Sequence, residues 1–527
     1  MWERFGFYLM LGILYLYMTD TQKGGLELSD STANDIYGTY LALVYLTPFV
    51  GGLLADRIFG YGRTIIAGGA LMAAGYFCLA VPGLNAFIFA LALIIIGNGL
   101  FKPNISTLLG NLYNREEYIR LKDKGYNIFY MGINIGAFVC NFVAAYLRNN
   151  YGWGAAFASA GVGMLLGLVI FMTFRRRVAS ADQLKPMQAE DMSLTRIAAI
   201  IFLPALIFAA IGFYAGSILG GIKGVVGIDA GESAAIFGSR SNDAFMFACI
   251  PIVLFYLSTF LRASTDDRKP IGSLLYIFAV VIIFWAIFHQ NGNVLTNWAE
   301  ENTRREMPAV LEPAATAVGL EQAVTSEPGA DGKVNPYLQN LPKEQWPEPG
   351  SKLLLISTEL FQSLNPFFVV IFTPVVVGFF SWLAARRREP STPAKIALGL
   401  FITGLSTLVM IAAVYSSDNG QYKVSPMWLV TTYAVITIGE LCLSPMGLSL
   451  VSKLSPPRLT ALMMGGWFLS TSIGNKLAGV LGHFGTDSPN KATVFWINFA
   501  GASVSALLLF VMVRRIREVM KAKTGHF

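Results

Sequence analysis

The stretch Phe87–Leu109, FIFALALIIIGNGLFKPNISTLL, is long and apolar enough to cross a bilayer, for which a helix needs about 20 residues. Inside hydrocarbon every backbone polar group must be bonded within its own segment, so the stretch has to be helical. Lys102 lies within it, four residues after Asn98 and directly before Pro103. An ammonium at that depth costs at least ~2.5–3.5 kcal/mol, so it faces a cavity or a counter-ion unless it lies near an interface and snorkels. Pro103 removes a backbone donor and loosens the preceding turn, which suits a cavity wall.

A second stretch, Val435–Val451 (VITIGELCLSPMGLSLV), aligns with Leu93–Leu109 without a gap. Gly97 then matches Gly439, and Pro103 matches Pro445. Each segment carries one ionisable group, Lys102 in the first and Glu440 in the second. Thr47-Pro48 with Gly52 recurs as Thr373-Pro374 with Gly378, and Ile135-Gly136 recurs as Ile473-Gly474. Three echoes in one order predict two halves built on one plan, as in transporters with parallel repeats. A cation from one half would then face an anion from the other.

The composition is that of an integral membrane protein, with 54% hydrophobic and 13% charged residues. The net charge of +7 calls for no nucleic acid, because the basic residues cluster at the ends of apolar runs. Cys78, Cys140, Cys249 and Cys442 sit inside such runs, with no metal-ligand spacing and no disulfide framework. The first apolar run has no basic region before it and no small-residue cleavage site, so it reads as a membrane span and not a signal peptide. Fourteen spans are expected, from 3–18 to 492–513, with the tenth at 353–385.

Connections such as Asp56–Arg63, Arg115–Lys124, Arg386–Arg388 and Lys453–Arg458 are basic, whereas Thr19–Asn34, Val81–Asn85, Tyr415–Pro426 and His483–Lys491 carry one Lys or none. The positive-inside rule then places both termini in the cytoplasm, with the protein in the plasma or inner membrane. Two halves of six spans leave two over, at 195–219 and 244–262, which read as an inserted hairpin. The expected division is a six-helix bundle at 1–177, a linker and hairpin at 178–268, and a second bundle at 269–527. The last includes an acidic, Pro-rich, non-periodic extracytoplasmic loop at 299–350.

No Walker P-loop, nucleophile elbow, HExxH or Cys/His cluster is present, which leaves neither an attached ATPase nor catalysis and calls for no cofactor. Polar residues at membrane depth remain. In the first span Arg4 and Tyr8 share a helix face, although Glu3 and Arg4 would equally suit the solvated front of a helix. Gly51–Thr64, GGLLADRIFGYGRT, resembles the loop motif of the major facilitator superfamily, in which Asp56 and the Arg residues would lock helix ends. ERFGFY at Glu3–Tyr8, FKPNIST at Phe101–Thr107, FYMGINIGAF at Phe129–Phe138, QSLNPFF at Gln362–Phe368, GELCLSPMGLSLV at Gly439–Val451 and MMGGWFLSTSIGNKLAG at Met463–Gly479 follow in order. Together they resemble the proton-dependent oligopeptide transporter family over nearly the whole chain.

That resemblance implies an all-α membrane protein with the major facilitator superfamily fold: two six-helix bundles plus the hairpin, fourteen transmembrane helices in all. It implies a monomeric, proton-coupled symporter that imports di- and tripeptides. Arg4 and Lys102 would hold the peptide carboxylate and Glu440 its amino terminus. Tyr8, Tyr45, Asn134 and Asn365 would bond the peptide backbone, Trp467 would shape a side-chain pocket, and Glu3 would couple protons by exchanging a salt bridge with Lys102. The family pattern E-x-x-E-R-F-x-Y-Y wants a further Glu three residues before Glu3, where this sequence has not begun, so a late start or truncation is expected. Phe7 replaces the first Tyr of the pair, and Leu11 and His289 stand where a gate Arg–Glu pair occurs in some members. His289 reads either as a protonation-sensitive gate element or as a neutral histidine satisfied locally. Alternatives are the same fold carrying a nitrate-like anion or another zwitterion, or a receptor or scaffold using 299–350.

Overall fold

The structure, a computed structural model, describes residues 1–113, 122–182, 193–218, 235–328, 334–456 and 459–524. The basic connection at Arg115–Lys124 lies largely outside them. Fourteen long helices dominate. The first six are α1 (Trp2–Thr19), α2 (Asp30–Leu54), α3 (Tyr61–Leu79), α4 (Leu84–Tyr113), α5 (Lys122–Tyr151) and α6 (Trp153–Val178). A hairpin of α7 (Thr195–Phe213) and α8 (Arg240–Leu261) follows. The remainder are α9 (Thr265–Phe288), α10 (Leu364–Ala385), α11 (Thr392–Ser416), α12 (Met427–Leu454), α13 (Thr460–Asp487) and α14 (Thr493–Thr524). Twelve of them are long and apolar enough to cross a membrane, and α1 and α13 complete the set.

Helix starts follow local chemistry. Ser29, Ser239 and Ser264 cap α2, α8 and α9 by accepting from backbone N–H groups three residues on. Gly60, at φ +75°, makes the turn from a π-helical end of α2 into α3, a backbone position that disfavours any Cβ.

The two halves repeat one packing scheme. α1 lies against α5 and α6 as α9 lies against α13 and α14. α3 meets α4 and α6 as α11 meets α12 and α14, and α2 meets α4 as α10 meets α12. The sequence echoes fall on equivalent helices: Pro48 and Pro374 lie within α2 and α10, Pro103 and Pro445 within α4 and α12. Gly97 does the same work as Gly439. A Cβ on Gly97 would stand 2.6 Å from the Gly68 carbonyl of α3, and one on Gly439 2.9 Å from the Gly399 carbonyl of α11. Lipid offers no hydrophobic drive between helices, so such close backbone approach supplies the attraction instead.

The halves meet where α2 crosses α13 and α5 crosses α10. At the first crossing Gly38 faces Gly479, with 2.8 Å between a Cβ on Gly38 and the Gly479 Cα. Near the second, Asn141 donates to Ser363 (3.0 Å), Gln362 donates to the Gly12 carbonyl (3.0 Å), and Arg148 pairs with buried Glu359 at 3.2 Å. These contacts gather towards one end of the bundle, the end carrying the connection between α1 and α2.

Above that end the chain between α9 and α10 departs from expectation. It is not a loop without structure. Glu321–Val324 pairs antiparallel with Leu353–Ile356 over a small core of Val324, Tyr337, Leu338, Leu341 and Leu355. Arg305 is wholly buried beneath it and donates to Gln322 Oε1 (3.1 Å) and the Ile356 carbonyl (2.9 Å), with Glu300 3.1 Å away. Lys423 stacks 4.2 Å from the centre of the Tyr337 ring; burial first, then the Arg305 charge, lowers its pKa to about 8. The tenth span therefore begins at Leu364 and not at 353, because the apolar LLLI of 353–356 is spent on a strand. Asn149 and Asn150 of α5 donate to the Glu321 and Gly319 carbonyls, so this cap bridges both halves.

Overpacking a tight helix contact costs about 1–3 kcal/mol. Gly97→Leu and Gly439→Leu should each lower the unfolding temperature in detergent, followed by tryptophan fluorescence. Gly378→Ala, where a Cβ meets nothing within 4 Å, should leave it unchanged.

Candidate functional site

Three helices of the first half present the cationic wall. On α1, Glu3 and Arg4 are both buried, each 8% exposed, so they are not the solvated front of a helix. Arg4 grips Glu3 through two bonds, Nε to Oε2 at 2.6 Å and Nη2 to Oε1 at 2.5 Å. Neighbours in a helix do not face each other, but the guanidinium fork reaches both carboxylate oxygens where a point charge could not. One turn on, Tyr8 sits with its ring 6.0 Å from the Arg4 guanidinium, as helical spacing requires. On α4, Lys102 Nζ lies 3.8 Å from the centre of the Tyr45 ring on α2. Among the described residues Lys102 makes no ion pair. The expected Glu3–Lys102 salt bridge is thus replaced by two separate arrangements, Glu3 with Arg4 and Lys102 on an aromatic face.

The second half presents the anionic wall. Glu440, on the turn of α12 that follows Gly439, accepts one bond from Asn365 Nδ2 at 2.9 Å. The same amide donates to Thr437 at 3.0 Å, which fixes the carboxylate's direction. Glu440 too makes no ion pair among the described residues. Tyr45, which carries Lys102 on its ring face, meets His289 of the second half at 5.5 Å between ring centres, so the two walls belong to one site.

A file of aromatic rings joins the walls. Tyr45 stands 5.5 Å from the His289 ring, His289 5.4 Å from Trp285, and Trp285 6.4 Å from Trp467. His289 is buried and its Nδ1 lies 3.2 Å from the Trp285 carbonyl one turn back. Trp467 fills the notch left by Gly447, where any Cβ would overlap its ring. Asn134 is half-buried on α5 and donates to the Tyr130 carbonyl at 3.0 Å.

The linear sequence carries no sign of Thr437 or Trp285 as companions of Glu440 and His289. It also passed over the polar groups that close the bundle, Asp35, Arg148, Glu359 and Lys476. Asp35 and Arg148 look like helix-end charges in a linear reading. Lys476, inside the apolar run GNKLAG, was the one available signal.

Residues 62–318 and 351–497 match a family model described as the POT family. The chain is 32% identical to the uncharacterized transporter YclF of Bacillus subtilis (strain 168), over 98% of this chain and 93% of that protein. It is 32% identical to a di-/tripeptide transporter of Lactococcus lactis subsp. lactis (strain IL1403), over 89% and 84%. Among solved structures, a variant of a peptide transporter POT in complex with alafosfalin superposes with a TM-score of 0.75 at 31% identity, covering 99% of this chain and 93% of the other. A POT family transporter in complex with 5-aminolevulinic acid gives 0.76 at 26%, covering 98% and 94%.

Removing one partner from a buried ion pair leaves a charge without compensation and costs about 3–5 kcal/mol. Glu3→Gln should therefore lower thermal stability in detergent more than the double change Glu3→Gln with Arg4→Gln. A double variant less stable than the single one would mean that Arg4 has another anchor.

Proposed function

The chain belongs to the POT family, and from that premise we propose that it is a proton-coupled symporter importing di- and tripeptides by alternating access. The observation that carries this reading is a pair of opposite charges on facing walls, Lys102 and Glu440, neither engaged in an ion pair among the described residues. A peptide zwitterion supplies both missing partners. Lys102 takes its carboxylate, and Glu440, aimed by Asn365, takes its ammonium. Tyr8, Tyr45, Asn134 and Asn365 bond the backbone between the ends, while Trp467 backs a side-chain pocket. Recognition of charges and backbone leaves side chains loosely specified.

Coupling follows from the Glu3–Arg4 pair. A proton on Glu3 discharges the carboxylate and frees Arg4, which then joins Lys102 on the substrate's carboxylate. Deprotonation recaptures Arg4 and loosens the substrate. An inward proton contributes roughly 2.3 kcal/mol per 100 mV and about 1.4 kcal/mol per pH unit. His289, walled by Tyr45 and Trp285, is a secondary candidate for sensing pH at the gate. The basic connections set both termini in the cytoplasm, so the joined end faces outward. The halves take the bounds 1–177 and 269–527, with 178–268 as linker and hairpin, and the transporter works as a monomer.

A nitrate-like substrate fits less well, because an unpaired Glu440 repels an anion. A receptor or scaffold would have no use for charges held at membrane depth.

Uptake of labelled dialanine into proteoliposomes, with and without an imposed proton gradient, tests the reading. Wild type should accumulate peptide only with the gradient. Glu440→Gln and Lys102→Ala should each abolish uptake, and Glu3→Gln should abolish gradient-driven uptake while retaining some peptide exchange. Accumulation unaffected by collapsing the gradient would refute proton coupling.

A further inference from the structure

The hairpin α7–α8 has no counterpart in the repeat, and its attachment to the rest of the molecule is uneven. Between α8, α7, α2 and α13 lies an apolar cavity of about 420 Å³, walled by residues such as Leu46, Phe202, Ala248 and Phe468. The hairpin therefore does not fill the groove it rests on. It is pinned at the two ends of α8. At one end Tyr256 donates from its hydroxyl to the Leu462 carbonyl, near the start of α13, at 2.8 Å. At the other end Ser241 enters a cluster that holds α2 to α13.

Lys476 of α13 stands at the centre of that cluster with its side chain wholly buried. An ammonium has three hydrogens to place, and here each has a partner. They go to Asp35 Oδ1 of α2 at 2.9 Å, to Thr39 Oγ1 of α2, and to Ser241 Oγ of α8 at 3.0 Å. Ser241 in turn donates to Asp35 Oδ1 at 2.6 Å, so its hydroxyl serves anion and cation together. Thr39 donates to the Asp35 carbonyl at 2.7 Å. One turn along α13, the Gly38–Gly479 contact lets the backbones meet. Ser472 and Asn475 add bonds to the Ala42 and Leu41 carbonyls.

We propose that Asp35, Lys476 and Ser241 form a three-way latch holding the outer end shut, and that the inserted hairpin is a working part of the gate through Ser241. The inference rests on the alternating-access reading above, since a latch matters only if α2 and α13 separate. Separation strips a buried ammonium of Asp35 and Thr39, and Ser241 of its bond to Asp35, so the latch favours the closed end until water can enter and replace them. The hairpin contributes because Ser241 bonds both members of the pair. A hairpin that merely rode on α13 would need only Tyr256.

Double electron–electron resonance in lipid nanodiscs reads the latch directly. Spin labels go on Tyr151→Cys, at the outer end of the first half, and Tyr422→Cys, at that of the second, both exposed positions. The four native cysteines are replaced by Ala. With the latch intact one short distance should dominate. Asp35→Asn and Lys476→Gln should each raise the longer-distance population by about fivefold or more. The exchanged pair Asp35→Lys with Lys476→Asp should return part of it. Ser241→Ala keeps the ion pair and so spares the fold; it should give a smaller rise in the same direction. Unchanged distances in Asp35→Asn, Lys476→Gln and Ser241→Ala would overturn the proposal, and a silent Ser241→Ala alone would remove the hairpin from it. The distances involve no peptide. If they respond while wild type transports no dipeptide, the latch stands and the substrate assignment falls.

Discussion

Charge in a medium that cannot solvate it governs the layout of this protein. A carboxylate or ammonium inside a bilayer-depth bundle has to be paired, hydrogen-bonded or turned to a cavity. Buried ionisable groups here divide along that line. Glu3 with Arg4, Arg148 with Glu359, and Lys476 with Asp35 are paired. Lys102 rests on the Tyr45 ring and Glu440 on the Asn365 amide. Aromatic faces and amides orient a charge without neutralising it. The division separates charges matched within the protein from Lys102 and Glu440, the two that the proposed reading matches to a ligand.

The repeat extends the same economy. α4 and α12 each carry a proline at the equivalent turn and are closely backed by glycine against α3 and α11. One plan thus yields two helices that each carry a charge at similar depth. Divergence at the neighbouring positions, Asn98 against Glu440 and Lys102 against Ser444, gave the walls opposite signs. Contacts between the halves then concentrate at one end, through small residues and polar bonds that can be broken and remade. The cap attaches there, and so does one of the hairpin's two anchors, so neither insertion is independent of the crossings it spans.

Much of this was legible in the chain. Fourteen apolar runs, the glycine–proline echoes and two isolated charges specified the bundles and the facing walls, because hydrocarbon leaves backbone and charge few options. Pairing among nearby charges was not legible. Glu3 could have met Lys102 or Arg4, and only side-chain reach decides for the guanidinium fork. Asp35 and Lys476 lie far apart in sequence, and nothing in either helix alone joins them. The apolar run at 353–356 misled for a local reason. A strand under Arg305 and the front of a membrane helix use the same residues, and composition does not distinguish them.

The central claim is that Lys102 and Glu440 read the two ends of one zwitterion. Titration calorimetry with dialanine, its N-acetylated form and its C-terminal amide tests it most directly. Charge-assisted hydrogen bonds contribute about 1.5–3 kcal/mol, so blocking either end should weaken binding to wild type by roughly tenfold or more. Glu440→Gln should lose discrimination against the acetylated peptide yet keep it against the amide, and Lys102→Ala should show the reverse. Wild-type protein that binds the doubly blocked peptide as tightly as dialanine would contradict the account.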